Sequence, residues 1–198
     1  MQAHIIDIRT ALLQSGKEEF LAYGFEKASL RKICKNAGVT TGAFYSYFNK
    51  KEDLFSGLVD PMLQDFYKMY DTVVTRELND LDCGESSEIE AILFLSTRKD
   101  VFKLLFDCAA GTKYEGFKEK FLNTVLAHTF QTFFDSYAKK NVNPALVRVI
   151  AKMKFEEYME LIYGDYSMDQ MKQIVAQVAV FTQAGFAKLI EEMNDSDT

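Results

Sequence analysis

Apolar residues recur at steps of three and four along most of the chain, and no segment alternates apolar and polar residues for long. This pattern predicts an all-α fold. The first amphipathic stretch runs from about Asp7 to Tyr23, with Gly24 as its stop. Its apolar face consists of Ile8, Leu12, Gly16 and Phe20.

Three further helix starts follow within thirty residues. Ser29 is a suitable N-cap for a short helix that ends at Gly38. Thr40 can cap a third helix of two turns, and Asn49 with Glu52 resembles a capping box for a fourth. Two short helices joined by a tight glycine turn predict a helix-turn-helix.

The fourth helix should continue toward Leu78, with a kink or break at Pro61 because proline cannot donate a backbone hydrogen bond. We expect the remaining chain to be helical apart from a polar loop at 79–87, breaks near 100 and at 111–116, and a frayed tail at 194–198. Two helix starts in this part have clear caps. Asn143 before Pro144 starts a helix that reaches about Tyr163, and Ser167 with Gln170 starts a helix that reaches about Met193.

Two domains follow from this organisation. The predicted helix-turn-helix domain occupies residues 1–50, and a larger helical domain occupies residues 51–198. The content of apolar residues, 48%, is ample for a buried core.

The net charge of −6 argues at first against a nucleic-acid partner. Its distribution changes that picture, because residues 1–60 carry eight Lys and Arg against seven Asp and Glu, so residues 61–198 carry a net −7. Residues 27–51 contain six basic residues and no acidic one. This segment could therefore approach a polyanion.

Other classes of function have little support. Three widely spaced cysteines suggest neither a disulfide framework nor a metal site, and Cys34 is expected to be a small core residue. The two histidines and the absence of HExxH, GxSxG, P-loop and dinucleotide motifs leave no evident catalytic site. We expect a protein without cofactor or metal, not an enzyme, with neither membrane span nor signal peptide, in the cytoplasm.

The segment ASLRKICKNAGVTTGAFYSYFNKKEDLF, residues 28–55, resembles the DNA-binding region of TetR-family transcriptional regulators. With the preceding helix, the resemblance covers roughly the first sixty residues. The family implies a helical ligand-binding and dimerising body behind a helix-turn-helix. Position 47 is often histidine in the family, so Tyr47 is a departure that keeps a hydrogen-bond donor and loses a possible positive charge.

A recognition helix that enters the major groove end-on needs small side chains in its first turn. This requirement is met by Thr40, Thr41, Gly42 and Ala43. The resemblance places phosphate contacts at Ser29, Arg31, Tyr45, Tyr47 and Lys51. Alternatively, the threonines are only helix caps and the tyrosines only half-buried aromatics.

The helical body offers candidates for a small-molecule site, which needs apolar walls with a few polar anchors. The predicted walls are Phe102, Phe106 and Phe121, and the predicted anchors are Thr124, His128 and Thr132, which fall at steps of four. A solvated polar stripe is the alternative for the anchors.

The final helix is apolar on more than one face. Ile174, Val178, Phe181 and Gly185 form one stripe, and Val175, Ala179, Phe186 and Leu189 lie beside or behind it. The helix from Pro144 repeats the pattern with Val147, Ile150, Tyr158 and Leu161. In the family two such helices pair with their symmetry mates, which implies a homodimer; a buried central helix in a monomer is the alternative.

Together these features predict a ligand-responsive, sequence-specific transcriptional regulator. It would be a repressor released from a palindromic double-stranded DNA operator by a small hydrophobic or aromatic effector. A DNA-binding regulator whose body docks a protein partner is the second hypothesis.

Overall fold

The computed structural model describes residues 2–79, 84–139 and 141–195, in which all regular structure is helical and no strand occurs. The predicted all-α fold is confirmed. The first four helices are α1 (Gln2–Lys27), α2 (Leu30–Asn36), α3 (Thr41–Phe44) and α4 (Lys51–Asn79). The others are α5 (Gly84–Ser96), α6 (Lys99–Asp107), α7 (Phe117–Lys120), a π-helical segment (Phe121–Leu126), α8 (Ala127–Tyr137), α9 (Pro144–Tyr163) and α10 (Met168–Asp195).

Local capping explains several helix starts. The Ser29 hydroxyl accepts from the Lys32 amide, and the Thr40 hydroxyl accepts from the Ala43 amide. Gly38, with φ 71°, makes the turn between α2 and α3 in a conformation that favours glycine. Both caps and the turn glycine are as predicted.

The later caps also form as predicted. The Asn143 side chain accepts from the Ala145 amide at the start of α9. Ser167 and Gln170 exchange two hydrogen bonds, with the Ser167 amide donating to Gln170 Oε1 at 2.8 Å and the Gln170 amide donating to the Ser167 hydroxyl at 3.3 Å. Each is a short-range interaction between residues two or three apart.

Three predictions about helix ends are wrong. The third helix is a single α-turn, continued by turns to residue 47. Asp53, not Glu52, accepts the Asn49 amide at the start of α4, because Glu52 is engaged by Lys50. The predicted break at Pro61 is wrong because α4 continues through that residue, while the alternative of a kink there stays a prediction.

The predicted loop at 79–87 is shorter than expected, because α4 reaches Asn79 and α5 begins at Gly84. Residues 80–83, with Cys83, lie outside the described residues, as do 196–198 of the predicted tail. Helix α10 extends to Asp195, two residues beyond the predicted end.

The chain divides into two compact units. The first contains the residues up to Asp65 and Asp100–Lys118. Its core includes a cluster of rings in which Phe55 lies 5.2 Å from Phe20, 5.6 Å from Phe25 and 5.8 Å from Tyr114, between centroids. The predicted DNA-binding domain, residues 1–50, lies within this unit.

The second unit contains Phe66–Lys99 and the residues from Glu119 onward. Phe66 is central to one part of its core, with ring centroids of Phe94 at 6.1 Å and Phe121 at 5.5 Å. A second part forms around three buried residues, Phe134, Val142 and Val147, with Phe186 of α10 packed against them.

Helix α10 buries only one side within the chain. Val175 and Ala179 are buried, whereas Val180 is 62% exposed and Phe181 is 71% exposed. The two-sided apolar character predicted for this helix is confirmed. No single interface within the described chain covers both sides.

Helix α9 differs from the prediction in which residues it leaves exposed. Val147 and Leu161, expected at a subunit interface, are buried in the chain itself. The exposed apolar residues are instead Val149 and Met153, one turn apart. The predicted stripe followed the buried side of the helix because apolar periodicity does not tell a core face from an interface.

Candidate nucleic-acid interface

The first turn of α3 is exposed. Thr40, Thr41 and Gly42 are exposed, and Ala43 is half-buried. Thr40 uses its hydroxyl as the cap of α3, at 3.1 Å from the Ala43 amide, so its side chain has a structural role as well. No hydrogen bond from the Thr41 side chain to another part of the chain is described. The side chain is exposed, so a ligand that approaches the N-terminal end of α3 can reach it.

The opposite side of α3 anchors it. Phe44 is fully buried and stacks on Phe48 at 5.5 Å between ring centroids. The guanidinium of Arg9, on α1, lies 5.5 Å from the centre of the Phe48 ring. Burial of these rings fixes which residues of α3 remain outside.

A groove of 840 Å³ runs between α2 and the start of α3. Its lining residues are Ser29, Arg31, Lys32, Cys34, Lys35, Gly38, Val39, Thr40 and Thr41. Three of them are cations and none is acidic, so the groove presents positive charge beside the exposed turn of α3. Cys34 contributes as a buried side chain, as predicted.

The tyrosines flank this surface differently. Tyr45 is 58% exposed, with its ring edge on Phe44, while Tyr47 is half-buried. The interpretation as half-buried aromatics therefore fits Tyr47 and does not fit Tyr45. Ser29 and Arg31 are exposed at the start of α2.

Glu19 is a structural residue of the site that sequence reasoning missed. Its side chain is buried, and its two oxygens accept from the Ser29 amide at 3.2 Å and from Lys32 Nζ at 3.0 Å. Ser15, one turn earlier, donates to the Ile33 carbonyl at 3.0 Å. Two polar residues four apart beside the apolar face of α1 were the available signal for this contact.

Lys32 is consequently committed within the chain. Its hydrogen bond to the Tyr23 hydroxyl, followed by the one to Glu19, raises the pKa of its ammonium. The ammonium also lies 4.3 Å from the centre of the Tyr23 ring. Lys32 lines the groove, yet part of its charge is matched internally.

Lys51 is also engaged in the free chain. Its ammonium donates to the carbonyls of Phe25 at 2.6 Å and Ala28 at 3.0 Å, with Glu26 at 3.3 Å. Burial lowers its pKa. The phosphate contact implied for Lys51 by resemblance stays a prediction, and these internal contacts compete with it.

Residues 108–115 are tied to α1 and α4. The Phe25 amide donates to the Cys108 carbonyl at 2.9 Å, and the Lys113 amide donates to Glu52 at 3.0 Å. The hydroxyl of Tyr114 donates to Asp60. These bonds join a segment distant in sequence to the helices that precede and follow the helix-turn-helix.

Tyr114 makes this connection sensitive to alkaline pH. Burial raises the pKa of its hydroxyl, and the hydrogen bond to Asp60 raises it further. The folded chain therefore holds this proton more tightly than the unfolded chain. The resulting stability is complete below the ordinary tyrosine pKa of about 10 and is lost as the pH rises through the elevated pKa.

We expect Tyr114→Phe to lower the free energy of unfolding by about 1 kcal/mol at pH 8, because one hydrogen bond is lost. The deficit should shrink at pH 11. Urea denaturation at both values measures it, with Tyr67→Phe at an exposed position of α4 as control. A deficit of equal size at both pH values would contradict the assignment.

The residues predicted to bind a ligand are distributed over both units. Phe102 and Phe106 pack together in the first, at 5.8 Å between centroids. Phe121 is buried in the second unit against Phe66 and Phe155.

The three predicted anchors do not form the straight line that regular α-helix would give. Thr124 lies in the π-helical segment, where hydrogen bonds span five residues, and His128 and Thr132 follow in α8. Thr124 and His128 are exposed, and His128 Nδ1 lies 3.1 Å from the Thr132 hydroxyl. Their role in ligand binding stays a prediction.

A capped helix-turn-helix with an exposed first turn on its second helix and a basic groove beside it is typical of helix-turn-helix DNA-binding proteins. The model of the family described as "Bacterial regulatory proteins, tetR family" matches residues 12–58. The regulator YdgC of Bacillus subtilis is 30% identical over 112 residues, covering 54% of this chain and 56% of that protein. UidR of Escherichia coli is 35% identical over 59 residues, 30% of each chain.

Solved structures extend the likeness in fold beyond this segment. NalD of Pseudomonas aeruginosa, described as the secondary repressor of a multidrug efflux pump, has a TM-score of 0.59 at 20% identity and covers 90% of this chain and 96% of its own. A TetR-like regulator of Rhodococcus has a TM-score of 0.61 at 15% identity, with 90% and 96% covered.

In sequence, the likeness to the TetR family is shown for residues 12–58, about a quarter of the chain. The matched regions span 56% of the length of YdgC and 30% of the length of UidR. The sequence match thus lies mainly in the helix-turn-helix segment, and the body is related by fold.

Proposed function

We propose that the chain is a sequence-specific DNA-binding transcriptional regulator that acts without enzymatic chemistry in the cytoplasm. The observation that carries the proposal is the exposed first turn of α3 beside a groove with three cations and no acidic residue. Thr41, Gly42 and Ala43 would face base edges in the major groove. A set around them would hold the phosphates: Ser29, Arg31, Tyr45 and Tyr47.

A twofold homodimer on a palindromic operator follows from the exposed apolar residues of α9 and α10. Met153 is 60% exposed and Phe181 is 71% exposed. Large apolar side chains exposed on helices are typical of an interface. Among the described helices, α10 is also long and apolar enough to cross a membrane. Its charged residues at both ends and its buried side against the body favour a second copy as its cover.

Repression relieved by a small hydrophobic or aromatic effector is the finer part of the proposal. It is supported by the hydrogen bonds between Asp100–Lys118 and the helices α1 and α4, because this segment is flanked on both sides by chain of the second unit. A ligand that displaced the flanking helices would pull on the bonds at Phe25, Glu52 and Asp60.

A thermal-shift screen with hydrophobic cations, acyl-CoAs and aromatic metabolites tests for the effector, since only a sensor is stabilised by a small ligand. If no compound raises the melting temperature while DNA binding is intact, a body that docks a protein partner becomes the better hypothesis.

Selection from a random duplex library tests DNA binding itself. Wild-type protein is expected to enrich a palindrome whose half-sites are one helical turn apart, about 34–36 Å. Binding of that duplex should be at least a thousandfold tighter than binding of a scrambled duplex. Failure to enrich any sequence would refute the proposed function.

Thr41→Ala is expected to change base preference at one base pair in each half-site by about 1–3 kcal/mol, because Thr41 would reach a base edge. Thr40→Ala is the matched control, since it removes the cap of α3 and should weaken binding to all sequences alike. Competition assays with singly substituted operators measure both. If Thr41→Ala lowers the affinity for specific and scrambled DNA equally, Thr41 does not contact a base and only stabilises the start of α3.

A further inference from the structure

The ammonium of Lys51 is fully used inside the free chain. An ammonium has three hydrogens to donate, and three backbone carbonyls lie within bonding distance, those of Phe25, Glu26 and Ala28, at 2.6, 3.3 and 3.0 Å. The Phe25 ring completes the environment, with its centre 4.5 Å from Nζ.

These carbonyls need a donor because of how α1 ends. Gly24 leaves the helical conformation, with φ 72° and ψ 162°, so the carbonyls after it have no continuing helix to satisfy them. Positive charge at the C-terminal end of a helix is also favourable for the helix dipole. Lys51, at the first position of α4, supplies both the donors and the charge.

The three carbonyls lie directly before Ser29, the cap of α2. Lys51 itself lies directly after the turn that follows α3. One side chain therefore joins the two ends of the segment 29–50, which contains the whole helix-turn-helix. Movement of α2 or α3 relative to α1 would require these hydrogen bonds to lengthen.

We infer that Lys51 is a positioning residue that closes the helix-turn-helix segment on itself, and that it does not act as a phosphate contact. Release of the ammonium toward a phosphate would leave the carbonyls of half-buried Phe25 and buried Ala28 without this donor. Burial already lowers the pKa of this ammonium, which agrees with a side chain held away from water.

The test rests on the proposed DNA binding and compares Lys51→Met with Lys50→Met. Lys50 is the matched control because its ammonium is exposed and pairs with Glu52. The probes are the duplex selected with wild-type protein and a scrambled duplex of equal length. Affinities for both are measured over a range of salt concentrations, well below the melting temperature of each variant.

We expect Lys51→Met to lower the preference for the selected over the scrambled duplex by at least tenfold, with an unchanged salt dependence. In the DNA-free protein, amide exchange over residues 29–44 should be at least tenfold faster than in Lys50→Met. If Lys51→Met does not fold, Lys51→Gln takes its place, since it removes the charge and keeps a polar side chain.

Two results would overturn the inference. If Lys51→Met weakens binding to both duplexes equally, and the slope of log affinity against log salt concentration falls by about one for each helix-turn-helix bound, Lys51 is a phosphate contact. A lower melting temperature with unchanged preference and unchanged exchange would make its role merely structural. If wild-type protein selects no sequence, the proposed function fails, and the exchange measurement still decides the role of Lys51.

Discussion

Replacing Phe181 with glutamate is expected to convert the proposed homodimer into monomers at micromolar concentration. Burial of a phenylalanine contributes about 1.5–3 kcal/mol, and a twofold interface contains two copies. The loss of about 3–6 kcal/mol raises the dimer dissociation constant by roughly a hundredfold to ten-thousandfold. Operator binding should fall with it, because one head reads too few base pairs alone.

Sedimentation equilibrium measures this change against an expected dimer mass near twice 22.7 kDa. Phe181→Leu is the control at the same position, since it keeps an apolar side chain and should remain dimeric. If the dimer dissociation constant of Phe181→Glu equals that of the wild type, the dimer interface does not include the exposed side of α10.

The second large effect is expected for Phe55→Ala in the core of the first unit. Phe55 is fully buried, with the rings of Phe20, Phe25 and Tyr114 within 6 Å between centroids. Deleting the ring leaves a cavity among them and should lower the free energy of unfolding by about 3–5 kcal/mol. Operator binding should be lost at temperatures where the body is still helical.

Urea denaturation followed by circular dichroism, with amide exchange over residues 12–58, measures the loss and its location. Tyr67→Ala on the same helix α4 is the comparison, because Tyr67 is exposed and its removal should cost less than about 1 kcal/mol. Similar costs for the two variants would show that the ring cluster is not the core of this unit.

The helix-turn-helix was predictable because its signals are short-range. Ser29, Gly38 and Thr40 each act on backbone within three residues, so the sequence alone contains the whole interaction. The same holds for Asn143 and for Ser167 with Gln170. Where the cap and its partner are neighbours, chemistry and spacing decide the structure.

Other features depend on residues far apart in the sequence. Lys51 contacts carbonyls 23 to 26 positions earlier, and Glu52 accepts from an amide 61 positions later. Asp53 takes the capping position that Glu52 was expected to occupy, since Lys50 holds Glu52. No local pattern distinguishes these outcomes, because each is decided by which side chain finds a partner in three dimensions.

The π-helical segment Phe121–Leu126 has the form of a one-residue insertion accommodated without a loop. One additional residue in a helix rotates everything after it by about 100°. Phe134 of α8 lies in the core of the second unit, beside Val142 and Val147. The segment therefore sets which side of α8 faces the core, so that a change of one residue in its length, unlike a change in a surface loop, would turn a different side of that helix toward the core.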